Sequence, residues 1–223
     1  MVEQRTHKPW AAGSIPAPGT NWKNKRMTAL EWASQSRPEE PPADFYCRSV
    51  DVWQGRFTKI APTLIRAGIH TDIAALFASM VGEIGDNCFT HNAPGWIDIP
   101  GCWLEYHIEG NQIQCWISDR GRGILNSLKA ALPSLETHRE ALLASLTKRI
   151  SGRTPEKRGN GLKYVVEVLT RLPVGVFTLQ TGDASFHCNL PLNKTLLESS
   201  ITAASTMVRG TYCEITATLP YAN

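Results

Sequence analysis

The sequence predicts an α+β domain, and three observations predict it. From Thr71, apolar residues recur at Ile73, Leu76, Phe77, Met80, Ile84 and Cys88, the spacing of one buried face of a long α-helix. Residues 102–108 and 112–118 then read as strands, and Glu109-Gly110-Asn111 between them is a tight connection that makes the pair antiparallel. Further on, an amphipathic helix through Leu162, Val165, Val166 and Leu169 leads into two more strand patterns, 174–181 and 211–219.

Size and composition set the limits around these elements. A chain of 223 residues holds one domain of ordinary size with appendages, not two independent domains. With 42% hydrophobic and 19% charged residues it can bury a real core, which excludes general disorder. A formal charge of +3 attracts anions such as phosphates but falls below what marks a nucleic-acid binder. The six cysteines form no C-x-x-C pair and no Cys/His cluster of zinc spacing, so they read as buried free thiols, which a reducing cytoplasm suits best. There is no N-terminal apolar signal segment, and no run approaches the about 20 apolar residues of a membrane helix, so a membrane partner is not expected.

Along the chain, residues 1–45 form a Pro-rich, partly ordered N-terminal extension. Within it Met27, Leu30 and Trp32 suit a short helix laid against a partner surface. Residues 46–223 form the main domain. A brief strand is expected over 45–53, a helix over 57–67 that breaks at Gly68, and a strand over 96–99. Residues 125–150 turn helical with a break at Pro133, and 125–160 together make a lid ending in a basic loop. Residues 185–210 show little periodicity and read as an insertion in the terminal hairpin.

Three clusters carry chemistry. Glu83, Asn87 and His91 are spaced four and four on the long helix and so share one face. A carboxylate and an amide one turn apart suit a site where the Asn87 oxygen ligates Mg2+ and Glu83 orients or deprotonates a water. A solvated polar face has the same pattern. Asp119 ends an apolar strand and is followed by Gly121 and Gly123. A carboxylate there can accept a hydrogen bond from the exocyclic amine of adenine, with glycines letting backbone and ring approach. A strand-ending turn is the plainer reading of those residues. The third cluster, Lys157, Arg158, Gly159, Asn160, Gly161 and Leu162, runs a basic loop into a helix N-terminus, an anion site suited to polyphosphate. It has neither the P-loop pattern nor a dinucleotide fingerprint.

Taken in order, these clusters resemble the boxes of the GHKL ATPases, the gyrase, heat-shock chaperone, histidine kinase and mismatch-repair group. Residues 83–91 look like the N box, 119–124 the first glycine box, 158–162 the second, and Gly210-Thr211 onward the closing strand. The resemblance spans roughly residues 71–220 and implies the histidine kinase-like ATPase fold, a two-layer sandwich with helices on one face of a mixed, mainly antiparallel sheet. It implies ATP and Mg2+ as cofactors, with Asn87 on the metal, Glu83 as catalytic base, Asp119 on adenine and His91 near the phosphates. Gly121, Gly123, Ile124, Lys157, Arg158, Gly159, Asn160, Gly161, Leu162 and Thr211 complete the nucleotide site. No upstream helix carries the phosphoacceptor histidine pair of a histidine kinase, and no transducer domain follows. What remains is most similar to small stand-alone members, including the anti-sigma-factor serine kinases.

Two readings of function follow. One is a Mg-ATP-dependent ATPase or serine/threonine kinase acting on a protein partner, for which a homodimer is compatible. The other is a nucleotide-sensing interaction module with little or no catalysis. A third class, nucleic-acid binding through Lys8, Trp10, Trp22, Lys23, Lys25 and Arg26, competes with the reading of that tail as a solvated linker, which the residues favour.

Overall fold

The computed structural model describes residues 27–92, 96–148 and 161–222. Seven helices appear among them: α1 Ala29–Ser34, α2 Val50–Phe57, α3 Ile60–Arg66, α4 Thr71–Thr90, α5 Gly123–Leu128, α6 His138–Thr147 and α7 Gly161–Leu169. Five strands accompany them, β1 Tyr46–Cys47, β2 Cys102–Glu109, β3 Gln112–Asp119, β4 Val174–Leu190 and β5 Ile201–Thr218. They form one sheet in the order β1-β2-β3-β5-β4, with every pairing antiparallel. The class is α+β, as expected, but the sheet is not mixed among the described residues. No two parallel strands are hydrogen-bonded, but β3 and β4, both antiparallel to β5 between them, run parallel to each other and are joined by a crossover through α5, α6 and α7.

Side-chain alternation splits the sheet into two faces. Leu104, Ile113, Cys115, Ile117, Phe177, Leu179, Cys213 and Ile215 point to the side covered by α2 to α7 and build the main core with them. Trp103, Tyr212 and Val208 point to the other side, where Ala29, Trp32 and Ala33 of α1 and Phe45 cover them. The helix expected near Met27 therefore packs on this chain's own sheet. Thr28 and Glu31 start it with a capping box, and the Trp32 indole donates to the Glu39 carbonyl at 2.9 Å.

Other boundaries moved for local reasons. The strand near Phe45 is two residues long because Ser49 caps α2 by accepting from the Val52 amide. The helix expected over 57–67 is α3, with the stop at Gly68 (φ 88°) in place, whereas residues 50–53, expected as strand, belong to α2. Residues 96–99 form no strand: the Asp98 carboxylate accepts from the Ile99 amide at 2.6 Å and turns the chain locally. The helical stretch after Gly123 does break around Pro133 and restarts at Thr137, whose capping box with Glu140 begins α6. Residues 185–210 are the outer part of the β4–β5 hairpin, which pairs Phe186 with Ile201, Ser185 with Thr202 and Ala184 with Ala203 beyond a register shift at Gly182. Exposed Thr202, Thr206, Met207 and Arg209 there hide the two-residue period.

All six cysteines are free and buried, as their spacing suggested. No helix among the described residues is long and apolar enough to cross a membrane.

Candidate functional site

Helix α4 organises the site. Phe77, Met80, Val81, Ile84 and Cys88 are buried against the sheet and neighbouring helices, whereas Glu83 is exposed and Asn87 half-buried. Gly85 lets α2 close in on the remaining side: a Cβ there would lie 2.0 Å from the Trp53 ring, and the Trp53 indole donates to Asp86 Oδ1 at 2.8 Å. The helix is thus held on all but its Glu83–Asn87 edge.

That edge meets the start of α7. A Cβ built on Gly161 would lie 2.9 Å from Glu83 Oε2 and 3.6 Å from the Asn87 amide nitrogen, so the first residue of α7 sits directly on both side chains. One turn further along, Tyr164 Oη and Ser79 Oγ hydrogen-bond at 2.6 Å, and Val165, Val166, Val168 and Leu169 bury the opposite face of α7. A carboxylate at the positive end of a helix is favourably placed.

Asp119 closes β3 beneath the last turn of α4. It is 2% exposed, and its Oδ1 accepts from the Gly121 amide at 2.7 Å and from Asn92 Nδ2 at 3.0 Å. Thr211, its register partner on β5, donates its hydroxyl to Oδ2, and the Cys88 thiol is a further hydrogen-bond partner. Burial raises the Asp119 carboxyl above the ordinary value, against the lowering effect of the Thr211, Gly121, Asn92 and Cys88 hydrogen bonds. Glycines make this packing feasible. A Cβ on Gly210 would lie 2.4 Å from Asp119 Oδ1, and one on Gly121 would lie 2.0 Å from the Asn92 side chain. Gly123 adopts a φ of 71°, which admits glycine readily and turns the chain into α5.

Of the residues singled out from the sequence, Glu83, Asn87, Gly161 and Leu162 form one group. Asp119, Gly121, Gly123, Ile124 and Thr211 form a second. His91 caps α4, its backbone amide donating to the Asn87 carbonyl at 3.2 Å. Lys157, Arg158, Gly159 and Asn160 lie outside the described residues, as does the basic tail before Met27.

Three residues that sequence reasoning passed over join the groups. Asn92 is buried, donates to the Cys88 carbonyl at 2.7 Å as well as to Asp119, and accepts from the Arg122 amide at 2.9 Å. Thr181 is buried on β4 and accepts from the Ile124 amide at 3.1 Å while donating to the Gly210 carbonyl at 3.2 Å. Arg120, also buried, fixes the loop from the other face of the sheet. Asn92 lies four residues after Cys88, a spacing that signals a side chain folding back on the end of its own helix. Nothing in the sequence marks Thr181.

The chain matches no family model, no curated protein and no solved structure. Among the described residues no group of three or more His, Cys, Asp or Glu side chains is arranged to hold a metal ion.

Proposed function

We propose that this chain is a Mg-ATP-binding regulatory protein of the histidine kinase-like ATPase type, an ATPase or serine/threonine kinase acting on a protein partner. One observation carries the reading: two segments far apart in sequence, the start of α7 and the end of β3, converge on the second half of α4 and on Asn92 just past it. Gly161 rests on Glu83 and Asn87, and Asp119 rests on Cys88 and Asn92. Nucleotides need these groups side by side, an acceptor for the base and an amide-rich helix start for the phosphates.

In this reading Asp119 accepts the adenine amine through lone-pair capacity that Thr211 leaves on Oδ2, and Gly121 and Gly123 offer bare backbone at two positions of the loop. The α7 amides from Gly161, with Lys157 and Arg158, take the phosphates, and His91 stands close by. The donors around Asn87 fit magnesium as it occurs with a nucleotide. Mg2+ commonly takes one or two protein oxygens and completes its shell from phosphates and waters. The Asn87 oxygen supplies such a hard ligand, and bound Mg2+ would neutralise phosphate charge. Glu83, exposed beside it, orients or deprotonates the attacking group.

A second reading, a nucleotide sensor with little catalysis, draws on the same Glu83–Gly161 contact. A nucleotide that tightens α7 onto α4 orders the lid whether or not any water is activated. Calorimetry of the purified protein with ATP and Mg2+, followed by product analysis, decides among binding, hydrolysis and transfer. No binding at millimolar ATP sinks both readings.

A further inference from the structure

We propose that Arg120 couples the Asp119 site on one face of the sheet to the docking of α1 on the other, so that nucleotide occupancy and α1 attachment control each other. The inference rests on the nucleotide reading above for the identity of the ligand, and on the hydrogen bonds of Arg120 for the link.

Arg120 is 0% exposed, and each of its three guanidinium nitrogens has an acceptor. It donates to the carbonyls of Trp32 and Gln35 at the C-terminal end of α1, the latter at 2.8 Å, and to both oxygens of Asp98 at 3.0 to 3.3 Å. The group also lies over the Trp32 ring, 5.9 Å from its centroid. Asp98 is shared with Arg209, 3.5 Å away. The last carbonyls of a helix are its electronegative end, so a buried cation is the natural clamp for them.

The backbone of the same residue lies between Asp119 and Gly121, which are joined by the 2.7 Å bond from the Gly121 amide to Asp119 Oδ1. The side chain grips α1, and the backbone is bent around the acidic acceptor. A rearrangement of residues 119–121 therefore displaces a buried guanidinium, at the cost of its hydrogen bonds to Trp32, Gln35 and Asp98. Helix α1 has six residues, too few to persist when undocked, so a weaker clamp releases it as a unit. Coupling of this kind is reciprocal by thermodynamic necessity.

Hydrogen exchange of the full chain reads the effect at the Trp32 and Gln35 amides, which bond the Thr28 and Glu31 carbonyls. Without ligand, Asp119→Asn is expected to speed exchange there about tenfold or more, with α4 and β2 amides unchanged. In an Arg120→Lys background, which keeps the charge but loses the fork, Asp119→Asn should add little. With Mg-ATP, a further donor on Asp119 stiffens the loop and should slow α1 exchange about tenfold in wild type but not in Arg120→Lys. Thr211→Val serves in place of Asp119→Asn if the latter fails to fold. Wild-type α1 exchange in the site variants, or fully additive effects with Arg120→Lys, overturns the coupling. ATP that binds without changing α1 overturns it as well. If ATP does not bind while the site variants still loosen α1, the link through Arg120 stands and only the nucleotide reading falls.

Discussion

Asn92 donates to Asp119 Oδ1 at 3.0 Å and to the Cys88 carbonyl at 2.7 Å, so one amide both closes α4 and holds the acidic residue at the end of β3. Its own oxygen accepts from the Arg122 amide. Helix, strand and loop are tied at a single buried side chain.

Asn92→Ala leaves the Arg122 amide without its acceptor and Asp119 short of a donor. A loss of about 1–3 kcal/mol in unfolding free energy is expected, with an unchanged denaturant slope. Asn92→Asp should cost more, because it sets a second carboxylate against Asp119, and its deficit should shrink as pH falls. Urea titrations of the variants check both, and a wild-type midpoint for Asn92→Ala refutes the tie.

Three glycines separate close packing from mere flexibility. Gly121→Ala and Gly210→Ala place a Cβ 2.0 Å from Asn92 and 2.4 Å from Asp119 Oδ1, and both should lower the unfolding midpoint. Gly55, in the exposed part of α2, has nothing within 4 Å of its Cβ position. Gly55→Ala should therefore raise stability by about 0.5–1 kcal/mol. A shared sign for all three would contradict the geometry.

Burial raises the Asp119 carboxyl above 3.8, so the folded protein binds this proton more tightly than the unfolded chain. The stabilisation from that proton is fully present below 3.8 and is lost as pH rises through the raised folded value. The stability of wild type relative to Asp119→Asn should accordingly fall across that window and then level off. Paired urea titrations between about pH 4 and 7 measure it. A flat difference means that the carboxyl titrates alike in both states. The same variant should lose about ten- to a hundredfold in ATP affinity, since the adenine amine loses its charged acceptor.

At the α7 end, Gly161→Val should weaken ATP more than AMP, because the added side chain collides with Glu83 and shields the amides that face the phosphates. Equal losses for the two nucleotides detach α7 from phosphate recognition. Glu83→Gln should keep Mg-ATP binding and slow hydrolysis about 100-fold, whereas Asn87→Ala should lose binding and its magnesium dependence together. Equal turnover in wild type and Glu83→Gln favours the sensor.

Much of this was legible in the sequence where periodicity speaks. The apolar stripe of α4, the β2–β3 hairpin and the four-residue spacing of Glu83 and Asn87 each repeat a geometric period, and the structure has all three, with His91 just past the helix as its C-cap. The Glu83–Gly161 contact was not readable from spacing, since those residues meet through tertiary packing. Asn92 and Thr181 are single polar residues whose roles come from satisfying buried amides, which leaves no repeating signal. Residues 96–99 show a further limit. Their apolar content suggests a strand, but the local bond from Asp98 overrides it.

The order of the sheet has a consequence for how the molecule comes into being. The strand latest in sequence, β5, lies between β3 and β4 and supplies Thr211 opposite Asp119. During synthesis, a nascent chain that has not yet released residues 201–218 carries β3 and β4 with nothing to join them. The acidic residue at the end of β3 then has no hydroxyl to meet. Sliding β5 by two residues would set Arg209 or Cys213 opposite Asp119 instead. Completion of the sheet and of the Asp119 pocket therefore waits for β5, and both the Thr211 hydroxyl on Asp119 and the side-chain-free Gly210 packed beside it favour the correct alignment over a slipped one.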